Sequence, residues 1–154
     1  MELKHINYRE LNGRQKERYN FQKIAGLLAD YGYSSIKLDD DWQGADFIAQ
    51  HINGSTFLKV QLKGRLTFDK KYIEKEIAIT FPYKNQWYLF AHDELLKMFS
   101  EEFPSMLESS SWEHEGCYSW GTLSPQILKL LEPYRLKPAA NILVEVDEVH
   151  KTKP

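Results

Sequence analysis

Asp46, Gln61 and Lys63 are the residues whose types and spacing first suggest chemistry. Asp46 heads an apolar run, Ala45–Ile52, and Gln61 and Lys63 lie in a second one, Thr56–Gly64. A strand places alternate residues on alternate faces, so Gln61 and Lys63 share one face while Val60 and Leu62 take the other. Asn53-Gly54 between the two runs is a strong hairpin signal. Closing that hairpin brings an acid, an amide oxygen and an ammonium to one edge of a sheet. Such a group suits a hard divalent cation and attack of water on a phosphate.

The elements that must position these residues follow on either side. Residues 14–31 have helical periodicity, with Phe21, Ile24, Ala25, Leu28 and Tyr31 in one stripe and Gly32 as the stop. Asn12-Gly13 reads as a breaker ahead of the helix. Glu17 falls in the middle of the stripe, with Asn20 at its edge, whereas Gln22 projects from the polar side. A carboxylate on a core-facing stripe is costly unless paired, protonated or bound to a metal; in the first helical turn it can also reach solvent and favour the helix dipole. Ser34–Leu38 reads as a strand, and Asp39 to Gly44 as an acidic turn from which Asp40 or Asp41 could make an outer contact to a metal.

Downstream, Arg65, Lys70, Lys71 and Lys75 follow Lys63 closely, interleaved with Phe68 and Tyr72. This is the best candidate in the chain for contact with a phosphate backbone. Lys75–Pro82 and Trp87–His92 read as a strand pair around Lys84-Asn85. A helix capped by Asp93 is expected as far as Phe103; His92, directly before the cap, could assist catalysis, but a histidine beside a cap is more often structural. Residues 104–123 are irregular and rich in aromatic residues, including Trp112, Tyr118 and Trp120; they fill a core or form a partner surface. Ser124-Pro125 starts a helix to about Tyr134. Ile142, Val144 and Val146 suggest a late edge strand, and residues 151–154 a loose tail.

The whole chain sets bounds on these readings. Its 154 residues suit one domain, with no internal repeat or linker. The net charge of −2 does not advertise a polyanion partner, but basic residues outnumber acidic ones in residues 1–75 and the reverse holds in 76–154. A nucleic-acid face is therefore expected from the N-terminal half. The single cysteine, Cys117, excludes an internal disulfide, and His114 and Cys117 lack a second pair of metal ligands. Neither a signal-type segment nor a run of membrane-spanning length is present, so a cytoplasmic protein is expected.

The order of these features, helix with Glu17, strand, strand with Asp46 and strand with Gln-x-Lys, resembles the PD-(D/E)XK nuclease superfamily over roughly residues 14–65. Gly44-Ala45-Asp46-Phe47 matches the first acidic motif of that superfamily, with Ala45 in place of proline. Gln61-Leu62-Lys63 matches the second, with glutamine in place of an acid, and Glu17 matches the acid that many members carry on the first helix. The wider stretch also looks like a group of small uncharacterised bacterial proteins.

The resemblance implies an α/β, restriction-endonuclease-like domain with a mixed central sheet and flanking helices. It implies a DNA endonuclease dependent on magnesium, with manganese as a substitute and RNA not excluded as substrate. Asp46, Gln61, Glu17 and the Leu62 carbonyl would hold the ion. Lys63 would stabilise charge on the phosphate or deprotonate the water. Arg65, Lys70 and Lys71 would hold the DNA backbone, and a two-stranded substrate motivates a homodimer. Glutamine keeps an oxygen ligand but loses a charge, so a nuclease-like fold retained as a DNA-binding module is the alternative. A protein-interaction domain acting through Trp112–Trp120 is the third reading.

Overall fold

The computed structural model describes residues 1–139. Helix α1, Gly13–Asp30, is followed by strands β1, Tyr33–Trp42, β2, Ala45–His51, and β3, Phe57–Leu62. A crossover containing β4, Leu66–Asp69, and a 3-10 turn, Lys70–Tyr72, leads to β5, Ile77–Tyr83, and β6, Gln86–Ala91. Helix α2, His92–Glu102, strand β7, Cys117–Trp120, helix α3, Pro125–Leu131, and the short β8, Arg135–Leu136, complete the described chain. The main sheet has the order β1-β2-β3-β5-β6-β8, while β4 and β7 form a separate ribbon. All pairs in the main sheet are antiparallel except β3 with β5. The expected α/β class with a mixed central sheet and flanking helices is therefore what the chain adopts.

Local chemistry explains the boundaries. Asn12 caps α1 rather than breaking the chain: its side chain accepts from the Gln15 amide, and Gln15 reciprocates to the Asn12 amide. Gly32, at φ +83°, ends the helix. Ile24 and Leu28 of α1 are buried with Phe47, Ala49 and Val60 on one face of the sheet. Tyr31, expected in the same stripe, is exposed, because it already lies at the helix cap.

The opposite face carries the larger core, in which Ile79, Phe81 and Phe90 meet Leu95 and Phe99 of α2 and Phe68 of β4. The β5–β6 turn is Lys84-Asn85, as expected, with both residues at positive φ. Ser124 caps α3 by accepting from the Ile127 amide.

Three other expectations are corrected. The acids Asp39 to Asp41 lie inside β1, and the turn is confined to Gln43 and Gly44, at φ 55° and 89°. An irregularity between Lys37 and Trp42 lets four strand residues sit opposite Asp46, which absorbs the acids without a loop. Asp93 does not cap α2; Ala91 occupies that position, and the Asp93 carboxylate instead accepts from the Glu74 amide. The aromatic segment 104–123 is ordered: it contains a π-helical turn, Ser111–Glu115, and β7, which pairs with β4. Trp112 is buried, and Tyr118 and Trp120 pack on the core, so these rings fill the interior. The expected edge strand at Ile142–Val146 and the tail at 151–154 lie outside the described residues.

Candidate active site

The hairpin of β2 and β3 is built as its sequence requires. The Asn53 Oδ1 accepts from the Ser55 and Thr56 amides, and Gly54 takes φ +74°. Phe47 pairs with Val60, and both face α1. Asp46 and Gln61 therefore project from the opposite face.

Beyond Phe47 and Val60 the two strands part, and the Asp46 carboxylate fills the opening. Its Oδ2 accepts from the Leu62 amide at 2.8 Å and from Gln61 Nε2 at 2.8 Å. Both groups are part-buried, so the acid replaces a ladder carbonyl that the diverging strand no longer offers. The Leu62 carbonyl lies 3.5 Å from Gln61 Nε2.

Lys63 leaves β3 immediately afterwards. Its amide donates to the Thr80 carbonyl of β5 at 2.9 Å, which fixes its backbone against the parallel strand. Its ammonium stands 5.1 Å from the Tyr72 ring centroid, and Lys71 occupies the same distance from that ring. Burial lowers the Lys63 pKa from its ordinary value, and the Lys71 charge lowers it further; Asp69, Asp46 and Cys117 act in the opposite direction.

The crossover that supplies Lys71 and Tyr72 is tied down at several points. Asp69 accepts from the Lys71 amide at 3.0 Å, and its own amide donates to His92 Nε2 at 3.2 Å. His92 is buried, and its Nδ1 lies 2.8 Å from the Asp93 carboxylate. With Nε2 accepting, the proton belongs on Nδ1. Gly44 lets the β1–β2 turn approach Tyr72: a Cβ there would lie 2.9 Å from two ring carbons. Asp69 and Tyr72 thus frame Lys63, with His92 behind them; of the three, the sequence suggests a catalytic part only for His92, for which a structural role is the preferred reading. The one signal was the alternation of Asp69 and Tyr72 with basic residues.

Glu17 occupies a different environment from the one expected. It lies on the same helical side as Asn20, Ile24 and Leu28, but its side chain is exposed and pairs with Lys37 at 2.7 Å. Its turn of α1 approaches β1, an outer strand of the sheet, where Lys37 supplies a counter-charge. Arg65, Lys70 and Lys71 are exposed. Lys70 stands over the Trp112 ring, 5.3 Å from its centroid, and Lys71 lies 3.8 Å from Asp69.

Among the described residues, no group of three or more His, Cys, Asp or Glu side chains is placed to hold a metal ion. An ion at this site would therefore draw on the amide and backbone oxygens as well as Asp46. That oxygen-only donor set fits a hard cation, provided that the Gln61 amide turns its oxygen toward the ion. No helix among the described residues is long and apolar enough to cross a membrane.

Comparison with known proteins gives no matching family model and no matching curated protein. One solved structure with a likeness to the chain is Hjc, a Holliday junction resolvase from Archaeoglobus fulgidus, an archaeal hyperthermophile. The likeness has 16% identity and a TM-score of 0.37, and it covers 46% of this chain and 74% of that one.

Proposed function

We propose that the protein is a magnesium-dependent endonuclease that hydrolyses phosphodiester bonds in DNA. The observation that carries this reading is the convergence of Asp46, Gln61 and Lys63 at the parting of β2 and β3. Asp46, the Gln61 amide oxygen and the Leu62 carbonyl would hold the ion, and Glu17 would join them only by giving up Lys37. Magnesium, when bound, supplies Lewis acidity toward a phosphate oxygen and lowers the pKa of water.

The chain's own residues do the rest. Lys63, half-buried and with a lowered pKa, brings positive charge to a phosphate in a partly desolvated place, where charge is worth more than in water. The lowered pKa also favours a neutral amine able to accept a proton from water. Tyr72 holds Lys63 and Lys71 against one ring, which gathers two cations around the place proposed for the phosphate. Arg65 and Lys70 extend the basic surface along the crossover. A duplex substrate favours a homodimer, with each copy cutting one strand.

Plasmid cleavage tests this reading. Nicking or linearisation is expected with magnesium or manganese, with loss of at least about a hundredfold in Asp46→Ala and Lys63→Ala. Absence of cleavage by wild type on duplex, single-stranded and branched DNA would refute it.

The second reading is a DNA-binding module without hydrolysis. Gln61 Nε2 donating to Asp46 supports it, because the acid already has neutral partners and the amide oxygen is turned away. Salt-sensitive DNA binding, with no cleavage in any divalent metal, would select this reading.

A further inference from the structure

Across the end of β3 from Lys63, on the α1 side of the sheet, lies a cleft of about 520 Å³. Tyr8, Tyr19, Asn20, Lys23, Gly64 and Trp87 line it, and no carboxylate is among its lining residues. Tyr8 comes from the N-terminal segment and packs edge-on against Tyr19, with ring centroids 5.3 Å apart. Asn20 Nδ2 donates to the Tyr8 hydroxyl at 2.9 Å, which pins that segment to α1. Tyr8 nonetheless remains 39% exposed. Lys16 and Lys23 stand over the two tyrosine rings, 5.6 and 5.3 Å from their centroids. The stretch from Arg14 to Lys23 holds two arginines and two lysines against the single acid Glu17.

We infer that this cleft takes an unpaired nucleobase of the DNA strand whose phosphate lies at Lys63. The inference rests on the nuclease reading and names its substrate as DNA with an unpaired segment. Each part of the cleft matches one part of a nucleotide. Trp87 and the exposed part of Tyr8 offer aromatic surface for stacking, which every base accepts, and Lys16 and Lys23 would swing from the tyrosine rings to the phosphates as the base enters. Amide groups meet the polar edge of a base, and the lysines at the rim meet the phosphates on either side. The volume is that of a site for a ligand of nucleoside size. Gly64, which lines the cleft, is the residue after Lys63, so a single strand passing over the end of β3 meets both places. A base inside a duplex is stacked on both faces and must leave the helix to enter a pocket. A strand already unpaired avoids that cost, so forked, gapped or branched DNA is preferred over continuous duplex.

The test measures binding by the full chain in EDTA, so that cleavage is not required. Two forked duplexes are compared, identical except that one carries abasic residues in its unpaired arm. Wild type is expected to bind the base-bearing fork roughly five- to a hundredfold more tightly. In Tyr19→Ala and in Tyr8→Ala the ratio of the two affinities should fall toward one. Trp87→Phe, which keeps a ring at a position that also packs on the core, should retain it.

Equal binding of both forks by wild type, or a ratio unchanged in both alanine variants, overturns the inference. Magnesium-dependent cleavage that needs Asp46 and Lys63, together with a ratio of one, leaves the nuclease reading and removes the cleft. A base-dependent ratio without cleavage does the reverse. No binding to either fork removes the cleft, and removes both readings when magnesium-dependent cleavage is absent as well.

Discussion

Replacing Gln61 with glutamate tests the geometry of the site directly. Gln61 Nε2 donates to Asp46 Oδ2 at 2.8 Å, and both groups are part-buried. Gln61→Glu puts a second carboxylate where that donor stands. Two like charges at this separation repel by about 6 kcal/mol at an effective dielectric near 20, and by about 1.5 kcal/mol in bulk water. The pair escapes the larger cost by taking up a proton, which at pH 7 costs about 3.7 kcal/mol for a carboxyl of ordinary pKa. The expected destabilisation without metal is therefore about 1.5–3.7 kcal/mol at pH 7, or a fall in Tm of roughly 3–15 °C for a chain of this size.

The sign with pH follows from the raised pKa of the shared acid. The cost grows as pH rises above the unfolded glutamate pKa of about 4.3, so at about pH 5 it is about 1 kcal/mol or less. Millimolar magnesium should restore much of the loss, because an ion binding only the folded state stabilises it. The assay is thermal unfolding of both proteins at pH 5 and pH 7, in EDTA and in magnesium. A Gln61→Glu variant that melts with wild type at pH 7 in EDTA would refute the placement of residue 61 against Asp46. A variant that is destabilised but indifferent to magnesium would refute the ion site.

Lys63→Met should abolish cleavage yet match or exceed wild type in stability at neutral pH. The lowered Lys63 pKa means that its charged form is disfavoured in the fold. That cost persists at low pH and is relieved as pH rises from the folded pKa toward the ordinary value of 10.5, so the variant's advantage in urea unfolding should shrink over that window. Glu17→Ala should change stability by less than about 1 kcal/mol, since its pair with Lys37 is exposed; if Glu17 also serves the ion, cleavage should fall and return at raised magnesium. Gly44→Ala should lower Tm by several degrees. Position 44 has φ +89°, and the new Cβ would lie 2.9 Å from the Tyr72 ring, so Tyr72 must move and cleavage should weaken with it.

The parts of the fold legible in the sequence were the local ones. Strict alternation and Asn53-Gly54 defined the β2–β3 hairpin, and the hairpin alone brings Asp46 to Gln61 and Leu62. Lys84-Asn85 marked its turn in the same way. The β4–β7 ribbon was not legible, because Leu66 meets Trp120 across a long stretch of chain and each partner is only four residues long. The acids of β1 read as a turn because strand residues are rarely three consecutive aspartates; the irregular pairing opposite Asp46 is what accommodates them. Helical phase placed Glu17 correctly around α1, but phase says nothing of what the face meets at its end, and Lys37 decides that. Tyr8, Tyr19 and Trp87 belong to three different elements, so no window of sequence could have joined them.

The crossover has a consequence for when the site comes into being during synthesis. The Asp46 carboxylate takes its bonds from Gln61 and the Leu62 amide within one hairpin, which ends at Leu62. Lys71 and Tyr72 need more, for the Lys70 amide is held by the Gly116 carbonyl and β4 has no strand partner until β7 exists. Closing such a long loop is entropically costly and comes late in folding. A nascent chain shorter than about Trp120 therefore displays the acid of the site without its basic wall. A cell making this protein meets the assembled site only after the chain has passed that point.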